Sequence, residues 1–213
     1  MRYDFNIPDG WVLQGNYAVP ATKTGATTFT ATVDDVFTFE STYTMKSTEG
    51  YTLLYEFKGW ESDVDKKIYK QNTSITVSQN TVLYAQWEPV YTSLTVKKSG
   101  TDVIDENQSF IFHVIGYNNV DVTVTVHGNS SVTIDGLVVG GVYTVTEMTD
   151  WSWRYDFIEA EKSGTGITNF SYVKKTATAT GTLGKSGNEI TFTNSRSETV
   201  WLDGDSWCDN LFK

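Results

Sequence analysis

The sequence has few of the residues on which several common protein architectures depend. It contains one cysteine, Cys208, among 213 residues, which excludes an internal disulfide framework and a multi-thiolate zinc site within one chain. It has only three prolines, and no run of about 18 apolar residues that could span a bilayer as a helix. Its first residues also lack the apolar core of a secretory signal, so we expect a piece of a longer protein.

Positive charge is scarce as well. Lysine and arginine number 16 against 26 aspartates and glutamates, for a formal net charge of −10. A nucleic acid or an anionic membrane would be repelled overall by such a chain. We therefore predict no nucleic-acid partner and no membrane contact in this segment.

The residues that are abundant favour strands. Threonine, valine and aromatic residues alternate in short runs between glycine-containing turns, which indicates an all-β protein. The length suits two domains, and Pro89 is placed to end one sheet before the next begins. We predict a first domain over 1–89, a second over 90–197, and an acidic tail or the start of a further module over 198–213. The predicted strands are 2–6, 27–33, 36–40, 51–57, 68–69, 74–77 and 82–87, then 93–98, 109–115, 120–126, 131–134, 141–147, 176–182 and 189–194.

Part of the first domain has a recognisable sequence pattern that extends between two tryptophans. The segment Tyr55-Glu-Phe-Lys-Gly-Trp60 is followed by polar loops and by Val82-Leu-Tyr-Ala-Gln-Trp87. It resembles the Listeria-Bacteroides (internalin B-type) repeat, which implies a small β-sheet domain of the β-grasp type. Trp60 and Trp87 are interpreted as core residues; a sugar-stacking platform is the alternative.

Three polar residues in the second half occupy strand positions that face the same side as their apolar neighbours. Lys98 ends Leu94-Thr-Val-Lys-Lys98, Glu147 ends Tyr143-Thr-Val-Thr-Glu147, and Asn194 ends Ile190-Thr-Phe-Thr-Asn194. Residues two apart in a strand face the same side, so all three are predicted to point into a core. Burying them is costly unless they satisfy one another.

The order of these segments resembles the collagen-adhesin B-type (Cna B) and pilin-like domains of Gram-positive surface proteins, over about 93–195. The resemblance implies an immunoglobulin-like sandwich in which Lys98 bonds covalently to Asn194 with the assistance of Glu147. Desolvation would favour a neutral Lys98 amine and a protonated Glu147. We expect the acid to donate its proton to the Asn194 side-chain carbonyl, which would make that carbon electrophilic toward the amine. Lys97 is the rival nucleophile and should face solvent; an ordinary buried or exposed cluster remains the alternative.

These features lead to a structural hypothesis. We expect a stalk or spacer module of a bacterial cell-surface adhesin or pilin-like protein, extracellular, anchored to the cell wall through its parent, and monomeric when excised. The alternatives are a module that binds a glycan or a host protein through Trp151 and Trp153, and a virion decoration or fibre protein. No phosphate-binding loop or nucleophile elbow is present, so we expect no turnover enzyme, only a single autocatalytic event.

The remaining signals are weak. His113 and His127 have no second ligand close in sequence, and we expect neither a metal site nor a cofactor. The run Asp203-Gly-Asp-Ser-Trp-Cys-Asp209 lacks the full spacing of a calcium loop and is interpreted as a solvated tail. Whether Cys208 pairs between chains stays open.

Overall fold

The computed structural model describes residues 1–100, 106–152, 154–158, 163–164, 166–173 and 176–197. The chain divides into two compact units, one made of Met1–Tyr91 with Val138–Gly140 and the other of Thr92–Leu137 with Gly141–Lys213. The described residues form strands, one short 3-10 helix at Thr149–Trp151, and no α-helix. The predicted all-β class is confirmed.

The first unit is built around a six-stranded mixed sheet with the path β1-β8-β5-β4-β2, in which β6 pairs with β5. The N-terminal strand β1 runs parallel to β8, whereas β4, β5 and β8 are antiparallel neighbours. Strands β3 and β7 form a separate antiparallel pair. The strands are β1 Arg2–Asp4, β2 Trp11–Leu13, β3 Phe29–Thr32, β4 Thr42–Ser47, β5 Thr52–Ser62, β6 Ile68–Tyr69, β7 Ser74–Val77 and β8 Val82–Pro89.

An aromatic cluster forms the core of this unit. Phe37, Phe57 and Trp60 are completely buried, and the rings of Phe37 and Trp60 stack with centroids 5.7 Å apart. Trp87 packs against Phe37 at 5.0 Å and donates its indole N–H to the Phe5 carbonyl at 2.8 Å. The structure therefore supports the packing interpretation of both tryptophans, because rings held in this way offer no stacking platform to a sugar.

The second unit is a sandwich of two sheets. One sheet has the order β11-β10-β13-β17-β16, and the other has the order β12-β9-β18-β14 with β15 paired to β18. The inner faces enclose a core of aromatic and branched side chains. The strands are β9 Tyr91–Gly100, β10 Ser109–Gly116, β11 Val120–His127, β12 Ser131–Val138, β13 Val142–Glu147, β14 Tyr155–Phe157, β15 Ser163–Gly164, β16 Ile167–Val173, β17 Thr176–Thr182 and β18 Asn188–Arg196.

Most predicted strands coincide with observed ones, but the predicted strand at 36–40 is wrong. Phe37 there is completely buried within the aromatic cluster, and Glu40 has φ of +58°, which lies outside the β region for a residue with a side chain. The prediction also missed five strands: β2, β4, β14, β15 and β16. Three of them have only two or three residues, too few to show a period.

A glycine near the end of β17 permits close packing in the sandwich. Gly181 pairs with Tyr143 on one side and with Ile167 on the other. A Cβ at this position would overlap the Gly166 carbonyl oxygen and the Tyr143 hydroxyl.

We therefore expect Gly181→Ala to lower the free energy of unfolding of the second unit by about 1–3 kcal/mol. Gly184→Ala is the matched control, because a Cβ there meets its nearest atom, Asn188 Oδ1, at an ordinary 3.4 Å. Chemical denaturation of both variants measures the difference. Equal loss of stability in the two would contradict the argument from packing.

Candidate functional site

The three predicted site residues converge in the interior of the second unit. Lys98 on β9 and Asn194 on β18 belong to neighbouring parallel strands, in which Lys98 pairs with Phe192 and Asn194 with Gly100. Glu147 ends β13 in the facing sheet. Each of the three residues is at most 1% exposed, so the prediction that they point into a core is confirmed.

One carboxyl oxygen lies beside both nitrogens of the site. Glu147 Oε1 accepts a hydrogen bond from Asn194 Nδ2 at 2.9 Å and lies 3.6 Å from Lys98 Nζ. The Lys98 amine also donates to the Phe192 carbonyl at 2.9 Å, which ties it to the strand that carries Asn194. A single acidic group therefore stands next to the amine and next to the amide.

Burial shifts both ionisable groups toward their neutral forms. Desolvation lowers the pKa of Lys98 from its ordinary 10.5 to about 8, although the nearby Glu147 carboxylate opposes the shift. Desolvation likewise raises the pKa of Glu147, against the opposing influence of Lys98 and of the Asn194 hydrogen bond. Transfer of one proton from the ammonium to the carboxylate gives an amine and a carboxylic acid with no change in net charge. Those are a nucleophile and a general acid.

Two oxygens of the site have no hydrogen-bond partner. These are Glu147 Oε2 and Asn194 Oδ1. The sequence argument expected Glu147 to donate its proton to the Asn194 carbonyl oxygen, but the structure places Glu147 against the amide nitrogen instead. In this arrangement the acid faces the leaving group, and the carbonyl oxygen is the atom that lacks a donor.

A phenylalanine ring lies beside the amine, and two further phenylalanines belong to the same core. Lys98 Nζ lies 4.7 Å from the centroid of the Phe110 ring, and the rings of Phe112 and Phe192 approach to 5.0 Å. All three phenylalanines are completely buried. Sequence reasoning did not assign them to the site, although the alternation Ser109-Phe-Ile-Phe-His113 places Phe110 and Phe112 on the inner face. The role of the Phe192 carbonyl had no signal in the side-chain pattern.

The rival lysine is placed as predicted. Lys97 is exposed and lies on the opposite face of β9 from Lys98, so it has no access to the buried amide. No bulge interrupts the pairing of β9 with β18.

The two histidines singled out in the sequence lie apart from this site, and the other residues singled out have no described side chains. Trp151 ends the 3-10 helix, and its side chain, the whole of Trp153, and residues 198–213 with Cys208 and the acidic run lie outside the described residues. His113 Nε2 lies 2.8 Å from Asp121 Oδ1 on the surface, and His127 Nδ1 lies 3.2 Å from the Ser109 hydroxyl. In the described part of the chain, no three metal-ligating side chains gather, and no helix has the length and hydropathy to cross a bilayer.

Comparison with known proteins gives one matching family and several solved structures that resemble the chain in part. Residues 90–196 match the sequence family described as "Domain of unknown function (DUF5979)". No curated protein matches the chain. A bacterial adhesin from Mobiluncus mulieris that contains intramolecular disulfide, isopeptide and ester bond cross-links is similar at 18% identity, with a TM-score of 0.43, over 74% of this chain and 60% of that one.

Two further solved structures have the same kind of likeness. A pilus-presented adhesin (Cpa) is 16% identical, with a TM-score of 0.39, over 71% of this chain and 38% of that chain. The major pilin from Streptococcus pyogenes is 17% identical, with a TM-score of 0.33, over 73% of this chain and 69% of that chain. This chain thus spans about 60% or less of the length of the two adhesins.

Proposed function

We propose that the second unit of this chain, which belongs to the DUF5979 family, forms an internal isopeptide bond between Lys98 and Asn194. The description of that family states no function, so the proposal is argued from the geometry of the buried triad Lys98, Glu147 and Asn194. The observation that carries the proposal is Glu147 Oε1, which lies 2.9 Å from the amide nitrogen and 3.6 Å from the amine. Proximity in a dry interior replaces a high reactant concentration.

The reaction balances with the residues present. The neutral Lys98 amine attacks Cγ of Asn194, the Cγ–Nδ2 bond breaks, and an Nζ–Cγ amide forms. Glu147 gives its proton to Nδ2, which leaves as ammonia, and takes the proton that Nζ loses. The carboxyl group returns to its starting state, so the event needs no cofactor and occurs once per molecule.

The strand topology gives this bond a mechanical role. Strands β9 and β18 lie near the two ends of the second unit and are parallel neighbours. A force applied to the two ends therefore shears β9 against β18, and a Lys98–Asn194 bond would carry that load directly. We infer that the unit is a spacer or stalk module of an extracellular, Gram-positive adhesin or pilin-like surface protein, with a parent protein that reaches the cell wall.

The first unit fits the same structural role. The tryptophan-bearing segments that resemble the internalin B-type repeat fall on β5 and β8, and these strands are paired neighbours at the centre of the six-stranded sheet. We infer that this unit is a repeat-like spacer domain. Its tryptophans act as core residues and not as a ligand surface.

Intact-mass measurement tests the bond. We expect the purified chain to be lighter than its calculated mass by one ammonia molecule, and Glu147→Gln and Asn194→Ala to have their full calculated masses. Peptide mapping should find Lys98 joined to Asn194. Lys97→Met is the matched control and should retain the mass loss. A wild-type chain of full calculated mass would overturn the proposal.

The buried amine also predicts a pH dependence in the variant that lacks the acid. In Glu147→Gln the carboxylate that raises the pKa of Lys98 is gone, so that pKa in the folded variant falls below the value of about 8 it has beside Glu147. Between that value and the ordinary 10.5, the unfolded chain holds a proton that the folded chain does not. Stability should therefore rise with pH across this window, by at most about 1.4 kcal/mol per pH unit.

Urea denaturation of Glu147→Gln at several pH values measures this slope. The double variant Glu147→Gln/Lys98→Met has no amine to titrate at this position, so its profile should lack the rise due to Lys98 and have a smaller slope over the same window. If the two profiles have equal slopes, Lys98 is not desolvated in the folded chain.

A further inference from the structure

The strand β11 forms an open edge of the sandwich. Among the described strands it pairs only with β10. The hydrogen bond from the Gly128 N–H to the Gln108 carbonyl, at 2.9 Å, fixes which backbone groups face β10, because the bonding direction alternates along an antiparallel pair. Even-numbered residues of β11 bond to β10. The backbone N–H and C=O groups that point outward belong to Asp121, Thr123, Thr125 and His127.

This edge has little of the protection that is usual on an edge strand. The sequence Val120-Asp-Val-Thr-Val-Thr-Val126 is almost wholly β-branched, with one charge and neither proline nor lysine. The register with β10 runs without a bulge, and Val122 is 37% exposed. Native proteins usually block such edges with charges, prolines or bulges, so β11 is suited to receive another strand.

We propose that the occupant is β11 of a second copy of this chain, paired antiparallel about Val124. In this register Asp121 lies opposite His127, Thr123 opposite Thr125, and Val122 opposite Val126. Every outward backbone group of 121–127 then has a partner, and each copy sets its acidic side chain against the other copy's imidazole.

The competing registers are poorer. Pairing about Thr123 sets Asp121 opposite Thr125 and leaves His127 without a partner. A shift by one residue would bring inward-bonding groups to the interface, because only odd-numbered residues present free backbone groups. The Val124 register is therefore the one that pairs the whole segment. It makes a two-fold symmetric contact in which both copies use the same strand.

The contact is small, so association is weak in solution. Two paired strands bury less than the area of a standard stable interface, and effective concentration would strengthen the contact where many copies share one surface. The proposal revises the sequence-based expectation of a monomer.

Sedimentation velocity of the full chain, from about 10 μM to about 1 mM, tests the pairing. We expect the weight-average sedimentation coefficient to rise with concentration from the monomer toward the dimer value. Thr123→Pro removes one outward N–H without touching a bond to β10 and should remain monomeric. Thr123→Ser, which keeps the N–H, should associate as the wild type does. Thermal denaturation verifies that each variant is folded.

A charge exchange tests the register. Asp121→Lys should weaken association at least tenfold, because the lysine would face the partner's imidazole, and adding His127→Asp should restore it. The contact between Asp121 and His113 within one copy is lost in both variants, so the restoration isolates the contact between copies. A wild-type coefficient that stays constant with concentration, or an exchange without restoration, would overturn the proposal.

Discussion

Pulled from its two ends, the second unit should release almost no chain length between Lys98 and Asn194. The proposed isopeptide bond would join neighbouring parallel strands, so the intervening loop would lie outside the path of the force. In Lys98→Met the same segment is free to extend, and at about 3.3–3.6 Å per residue it should add roughly 330 Å of contour length. Single-molecule force spectroscopy of the full chain measures this difference.

The first unit supplies an internal reference in that experiment. Its extension should appear in wild type and variant alike, because none of the substituted residues belongs to it. Lys97→Met, which alters the neighbouring exposed lysine, should keep the second unit inextensible. An extension of roughly 330 Å in the wild type would show that no covalent bond spans the sandwich.

The burial of the three triad residues could be predicted because strand parity is a strong constraint. Lys98, Glu147 and Asn194 each follow two apolar residues of the same parity, and the buried partners Val96, Val145 and Phe192 fixed the inward face of their strands. A register slip of one residue would have moved the apolar set to solvent. Strand parity alone therefore predicted that each of the three side chains faces a core, and the family resemblance implied that they meet in one site.

Some of the strands that the sequence did not predict are too short to show an alternation of apolar and polar residues. Strands β14 and β15 have three and two residues, and they exist because β18 offers them a hydrogen-bonding edge. Such pairing is a tertiary effect that overrides local propensity. The sequence around Phe37 alternates between apolar and polar residues as a strand does. Its conformation is instead determined by the burial of the Phe37 ring in the aromatic core.

The orientation of the Asn194 amide is a finer feature of the same kind. Its sequence position predicts burial but not which end of the amide meets Glu147. The structure sets Nδ2 on the carboxyl and leaves Oδ1 without a donor. An unpaired amide oxygen in an apolar interior is costly, and so is the buried amine. A covalent Lys98–Asn194 amide removes the ammonium and the leaving nitrogen from the core, so the bond relieves part of the cost of folding these groups inside.

Loss of the bond should also lower the thermal stability of the second unit by a large amount. The proposed bond would close a loop of roughly a hundred residues, for which the chain-entropy argument developed for disulfides gives on the order of 4–5 kcal/mol. That corresponds to a fall in Tm of about 20–30 °C for a domain of this size. Calorimetry of the wild type, Lys98→Met and Asn194→Ala measures it.

The double variant Lys98→Met/Asn194→Ala separates the bond from local packing. Either single substitution already removes the bond, so the second should add only its own packing cost, and the two losses should be strongly non-additive. The Lys98→Met substitution keeps an unbranched side chain of similar length in an apolar setting, which limits the packing cost at that position. If the losses of stability in the two single variants add up in the double variant, the stability comes from separate side-chain contacts and not from one bond. Two independent contacts would each contribute their own loss.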